Sequence, residues 1–123
     1  MYEYYFEKLD VWKKSINLSL EIYKITKNFP KEEKFGIVSQ LNRAIVSVSS
    51  NIVEGLSRKS FKDQARFSTI AFGSLMESLN LIIISNKLNY ISESEYYILR
   101  EKINEVSSKL NALRKTQLSK VGK

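Results

Sequence analysis

Residues 35–55 read FGIVSQLNRAIVSVSSNIVEG. Within them Val38, Leu41, Ile45, Val48 and Ile52 recur at steps of three and four, which puts one apolar stripe along one side of a helix. Gly36, Gln40, Arg43, Ser47, Ser50 and Glu54 repeat at the same spacing and make a second stripe, small and polar. A helix with an apolar side and a small-residue side can approach neighbours closely on both. The rest of the chain supplies those neighbours.

Upstream, residues 9–28 carry two adjacent stripes, one of Leu9, Trp12, Ile16, Leu20 and Tyr23, the other of Leu18, Ile22, Ile25 and Phe29. Both suit a first helix, with Asp10 as a candidate N-cap and Trp12 as a candidate core residue. Pro30 ends it, because the residue before a proline is pushed away from helical geometry. Pro30-Lys31-Glu32-Glu33 then reads as the first turn of the second helix, with carboxylates at the positive end of its dipole. That helix is expected over 31–54, with Gly55 as the residue after its C-cap.

Downstream, Ser60-Phe61-Lys62-Asp63 resembles a capping box and opens a third helix over 60–86. Phe61, Ala65, Ser68, Phe72, Leu75, Leu79 and Ile82 continue at helical spacing, while Ile70, Met76, Leu81, Ile83 and Ile84 cover other sides. Residues 70–84 are therefore apolar nearly all round, as expected of a helix that is central or covered by another subunit. Ser92-Glu93-Ser94-Glu95 is a second capping box, opening a fourth helix over 93–117 with Tyr96, Leu99, Ile103, Val106, Leu110 and Leu113 on one side. A frayed basic tail is expected over 118–123.

The whole is one domain, all-α, expected as an antiparallel up-down-up-down four-helix bundle. A helical hairpin pair that completes its core by dimerising is the alternative. At 123 residues, the chain is long enough to bury a core without staples. It has no Cys, so no disulfide or thiolate chemistry, and no His, the commonest metal ligand and general base. Glu77 is the sole acid of the third helix beyond its first turn, so no carboxylate cage is assembled, and no Gly-rich phosphate loop occurs. A non-enzymatic protein without cofactor or metal is the expectation. The N-terminal MYEYYFEKLD lacks the apolar core of a signal peptide, and the longest unbroken apolar run, Leu81 to Ile84, is too short for a bilayer. A cytoplasmic location with no membrane partner is expected.

Several pieces match one family in order and spacing. They are Phe6-x-x-Leu9-x-Val11-Trp12, then Phe29-Pro30-x-x-Glu33-x-Phe35-Gly36, Gln40-x-x-Arg43-Ala44, Asn51-Ile52-Val53-Glu54-Gly55 with Arg58 just after, and Gly73-Ser74-Leu75-x-Glu77. Together they resemble the four-helix-bundle proteins encoded in intervening sequences of bacterial large-subunit ribosomal RNA genes, a family similar to the accessory protein of diversity-generating retroelements. The similarity covers about residues 6–115. It implies a basic up-down bundle assembled as a ring-shaped homopentamer. In the retroelement branch it implies binding to nucleic acid and to a reverse transcriptase. The family often has two adjacent basic residues after the glutamine; here the first is Asn42, which removes half of any phosphate contact made by that pair.

The net charge is +7. If the helices alternate in direction, eleven cations and five anions fall at one end of the bundle, against seven and six at the other. The surplus at one end suits a polyanion, and in a ring it would repeat around one rim. The candidate nucleic-acid contacts are Lys13, Lys14, Arg43, Arg58, Lys59, Lys62, Arg66, Arg114 and Lys115. No base-reading motif is present, so the expected recognition is of backbone, in RNA or an RNA/DNA form, and salt-dependent. The rival reading makes the protein a helical adaptor whose basic end docks an acidic protein surface. Gln40, Arg43, Asn51 and Glu54 are read as pairing across helices or subunits. Ser47, Ser50, Gly73 and Ser74 are read as small residues at packing seams, and Ile83 joins Gln40, Ser47, Asn51, Glu54, Gly73 and Ser74 as an oligomer or packing candidate. The aromatic cluster Tyr2, Tyr4, Tyr5 and Phe6 is read chiefly as packing, with stacking on unpaired bases as the alternative.

Overall fold

A computed structural model describes residues 1–122; Lys123, counted above in the basic tail, lies outside the described residues. Four α-helices carry the fold: α1 (Asp10–Thr26), α2 (Ile37–Leu56), α3 (Phe61–Lys87) and α4 (Glu93–Ser119). Short 3-10 turns at Tyr5–Lys8 and Lys31–Glu33 precede α1 and α2, and no strand occurs among the described residues. Each helix packs on its sequence neighbours, and α1 closes the arrangement against α4. Contact partners run in opposite order along neighbouring helices: Thr26 meets Asn42 while Ser19 reaches the Ile45 carbonyl, Gly55 lies against Phe67 while Ser47 bonds Ser74, and Ser68 of early α3 bonds Gln117 of late α4. Asp10 and Lys14 of α1 likewise pair with Lys109 and Glu105 of α4. These pairings are compatible with helices that alternate in direction.

The core closes within one chain. Leu18 and Ile22 of α1, Leu41, Ile45, Val48 and Ile52 of α2, Leu75 and Ile82 of α3, and Leu99, Ile103, Val106 and Leu110 of α4 are all nearly inaccessible. In α1 the second of the two stripes takes the core. Leu20 and Tyr23 of the first stripe are exposed, and Trp12 is only half-buried, with its ring edge-on to Phe6 at 5.2 Å between centroids. Serines sit among the buried residues of α1 and α3. Ser15, Ser78 and Ser85 each donate to a carbonyl of their own helix, which satisfies the hydroxyl without a cross-helix partner, while Ser19 lies between the Ser15 carbonyl of its own helix and that of Ile45.

Three junctions differ from the sequence expectation. Helix α1 begins at Asp10 after a Leu9 N-cap that offers no side-chain bond, so Asp10 is free to pair with Lys109 instead. Helix α2 begins at Ile37, not at Lys31. The Glu33 side chain folds forward, and its Oε1 accepts from the Ile37 N–H at 3.3 Å. Glu33 thus acts on the helix start from outside it. Gly55 lies inside α2, which runs to Leu56. A Cβ on Gly55 would stand 2.9 Å from the Phe67 Cβ and 3.3 Å from the Gln64 carbonyl oxygen, so this glycine permits close approach of α2 and α3 and does not cap the helix.

Both helix starts are capped where the sequence places them, but only Ser92 completes a capping box, and Ser60 supplies the cap bond alone. The Ser60 hydroxyl accepts from Asp63 N–H at 3.1 Å, and Ser92 and Glu95 exchange bonds at 3.1 and 2.9 Å. Helix α3 ends in a Schellman turn: Asn89 has φ 64°, the Tyr90 N–H reaches the Ser85 carbonyl at 2.9 Å and the Asn89 N–H reaches Asn86 at 3.0 Å. By length and composition alone α3 could cross a membrane. In this fold it packs against both α2 and α4, with Ser68, Ser78 and Ser85 buried.

Candidate nucleic-acid interface

The α2–α3 turn is short. Ser57 ends α2 with its N–H on the Val53 and Glu54 carbonyls, and Gln64 Nε2 donates to the Arg58 carbonyl at 2.9 Å. This pins Arg58 and Lys59 beside the first turn of α3. The C-terminus of α4 arrives at the same place because Gln117 is drawn inward. Its side-chain oxygen accepts from the buried Ser68 hydroxyl at 2.7 Å, so α4 stays in contact with α3 through its last turns. The helix therefore continues to Ser119, beyond the expected stop.

The basic residues gathered here rest mainly on aromatic rings. The Arg58 and Arg66 guanidinium carbons lie 4.6 and 4.7 Å from the centroid of Phe67. Arg114 sits 5.5 Å from Phe72, and the Lys120 ammonium 5.4 Å from Phe61. A cation over a ring face keeps its charge and much of its hydration while its stem is held in place. Lys59, Lys62 and Lys120 open onto a cleft of about 360 Å³ floored by Phe61. Three ion pairs form among the described residues: Lys14–Glu105 at 2.9 Å, Asp10–Lys109 at 2.6 Å and a long Arg66–Asp63 contact at 3.8 Å. Arg58, Lys59, Lys62, Arg114, Lys115 and Lys120 thus have no carboxylate within ion-pair range among the described residues. Their positive charge is left unneutralised on one stretch of surface.

The sequence candidates divide accordingly. Arg58, Lys59, Lys62 and Arg66 come together, with Arg114 and Lys115 on the adjoining α4. Lys14 does not join them as a free cation. Its ammonium binds Glu105, which also raises its pKa, chiefly through that hydrogen bond. The same arrangement lowers the Asp10 pKa, first through the bond from Lys109. Lys13 is exposed beside them. Arg43 is exposed on α2, thirteen residues before the helix ends at Leu56, about 20 Å along it at 1.5 Å per residue, and so lies away from Arg58. Lys120 and the supporting rings of Phe61, Phe67 and Phe72 escape sequence reading as a site. The rings sit at positions that read equally as core, and only the packing of α3 on its neighbours brings cations over them.

Two polar residues of α2, Ser47 and Asn51, join Ser74 of α3 in a hydrogen-bonded network at the α2–α3 seam. Ser47 and Ser74 share a 2.9 Å hydrogen bond, and Asn51 Nδ2 donates to the Ser47 carbonyl and hydroxyl at 2.8 and 2.9 Å. Gln40 and Glu54 are exposed, and Ile83 is half-buried. A Cβ on Gly73 would meet nothing within 4 Å, so within one chain this glycine faces open space. Among the described residues, no cluster of His, Cys, Asp or Glu is arranged to hold a metal ion.

Comparison with known proteins adds two findings. The model of the family described as 23S rRNA-intervening sequence protein matches residues 7–112. Among solved structures, the chain is similar to a crystal structure of a protein of unknown function from the S23 ribosomal protein family of Bacteroides thetaiotaomicron. The match has a TM-score of 0.79 at 24% identity and covers 85% of this chain and 95% of that one. No curated protein matches.

Proposed function

Because the chain belongs to the 23S rRNA-intervening sequence protein family, we propose that it is a non-enzymatic bundle, up-down-up-down in topology, that binds nucleic acid through the end formed by the α2–α3 turn and the α4 terminus. The observation that carries this reading is the set of cations there that lean on rings and not on carboxylates. An unpaired cation already held in position loses little freedom when it meets a phosphate, and it releases condensed counterions from the nucleic acid. The N-terminus of α3 adds backbone N–H groups beside Lys59 and Lys62. Contacts of this kind read charge and shape, not sequence.

The resemblance to the accessory protein of diversity-generating retroelements extends the proposal to a homo-oligomer, a pentamer, that presents this end repeatedly along one rim and serves a reverse transcriptase. A second reading, an adaptor for another protein, draws support from Leu20 and Tyr97, large apolar side chains more than half exposed at 65% and 63%.

Filter binding of a structured RNA over a salt series tests the first reading. The expected result is binding at low salt, with log affinity falling linearly in log salt by about one unit for each phosphate neutralised. The R58E/K59E/K62E variant is expected to keep full helicity, since all three residues are exposed, and to weaken binding with a shallower slope. Binding that persists unchanged in the variant places the contact elsewhere. No binding at low salt removes the nucleic-acid reading and leaves the adaptor.

A further inference from the structure

The N-terminal aromatics form a ladder that the fold does not use as core. Tyr2, Tyr4 and Tyr5 are exposed by 76%, 61% and 70%. The rings of Tyr2 and Tyr4 meet edge-on at 4.9 Å between centroids, Tyr4 and Phe6 lie near-parallel at 6.3 Å, and Phe6 meets Trp12 edge-on at 5.2 Å. Local bonds hold the arm in shape. The Tyr4 N–H donates to Glu7 Oε2 at 2.8 Å, and the 3-10 turn at Tyr5–Lys8 leads into α1. Trp12, at the inner end of the ladder, shares a surface cleft with Ser49, Val53 and Glu54 of α2. Glu54 lies in the last turn of α2, and Arg58 follows just past the helix end in the α2–α3 turn, so the inner end of the ladder borders the stretch that leads into the basic end.

We infer that this ladder is a stacking platform for unpaired bases of a nucleic acid whose phosphates lie on the Arg58–Lys62 end, so that the protein prefers single-stranded to duplex nucleic acid. The inference rests on the nucleic-acid reading of the basic end. Tyrosine suits the task because its ring offers a π-face while its hydroxyl makes exposure tolerable, whereas a buried packing anchor needs no hydroxyl. Tyr2 and Tyr4 stand two apart on the stretch before the 3-10 turn, and an extended backbone sends such residues to the same side. Tyr4 is itself extended, at φ −77° and ψ 156°. The exposed ring faces suit bases splayed from a single strand. A duplex hides the same base faces in its own stack. Lys8 and Lys13 flank the ladder and supply charge along the path to α2.

The test compares a 12-nucleotide oligothymidine with a 12-base-pair duplex at low salt, by fluorescence anisotropy, for the wild-type chain and for the Y2A/Y4A/Y5A variant. The expected result is tighter binding of the single strand by the wild type, and a loss of about fivefold or more for the single strand alone in the variant. The salt slope and the duplex affinity are expected to stay unchanged, and Y2F/Y4F/Y5F to bind like wild type. Equal loss for both nucleic acids, or no loss for the single strand, overturns the platform while leaving the basic end in place. A change of mass by light scattering in Y2A/Y4A/Y5A overturns it in favour of contact with a second copy. Failure of the wild type to bind either nucleic acid sinks the parent reading and this one together.

Discussion

Two glycines of the sequence look alike and do opposite things. Gly55 stands where α2 and α3 come closest, and a Cβ there would press on the Phe67 Cβ at 2.9 Å, a side-chain atom fixed to the backbone. Gly73 sits on the outer side of α3 with nothing within 4 Å of an added Cβ. Gly55→Ala should therefore cost about 1–3 kcal/mol by overpacking. It should also shift Phe67, the ring that carries Arg58 and Arg66. Gly73→Ala in a single chain should gain up to about 1 kcal/mol of helix propensity. Thermal unfolding of the two variants, compared at concentrations low enough to isolate one chain, checks the pair. The sequence marks both positions as small but gives no sign of which faces a neighbour, because that depends on the rotation of each helix about its own axis. The Ser60 and Ser92 caps, by contrast, are legible residue by residue, because donor and acceptor are three positions apart in one chain.

At the scale of elements, the chain has one junction where two loops are tied together. The Tyr90 hydroxyl, in the α3–α4 turn, donates to Glu33 Oε2 at 2.8 Å, and its ring lies 5.3 Å from Phe29. Glu33 in turn caps α2 through Ile37. The bond to the Glu33 carboxylate, together with burial, raises the Tyr90 pKa above its ordinary value of 10.0. A raised pKa means that the folded state holds this proton more firmly than the unfolded chain does. The stabilisation is therefore complete below pH 10 and lost as pH rises through the folded value. Melting temperature followed from pH 8 to 11 should fall more steeply in wild type than in Tyr90→Phe, which has no proton to lose. Equal slopes would show that the tie carries no stability. The same junction explains why the start of α2 was not legible. Pro30 and the two glutamates have the composition of a first helical turn, but Glu33 bonds across a gap of 57 positions to Tyr90, and no local rule reports that. The two stripes of α1 pose a similar problem, since both have helical spacing and only the position of α2 and α4 decides that Leu18 and Ile22 are core while Leu20 is exposed.

For the whole molecule, the proposed ring makes a geometric demand. A cyclic assembly larger than a dimer is head-to-tail, so each copy needs two different faces that fit each other. Two candidate faces lie on opposite sides of the bundle. On the α2–α3 side, Val46 and Ile70 are exposed beside the small residues Ser50 and Gly73. On the α1–α4 side, Leu20 lines a cleft with Asn17, Glu21, Lys24 and Lys102, and exposed Ile98 lies one turn before Lys102. A small-residue face admits a neighbour closely, and protruding Leu20 and Ile98 are suited to fill it. Ile70→Lys and Leu20→Lys each place a charge on one face only, at side chains already 41% and 65% exposed, so neither should disturb the fold. Light scattering should give a multiple of the 14.3 kDa chain mass for wild type and the single-chain mass for each variant. The two variants mixed in equal amounts should then form a dimer and stop there, because each lends the other the face it has lost and leaves two damaged faces outward. An assembly built on one self-complementary face would behave otherwise: one variant would keep its full mass and the mixture would show nothing new.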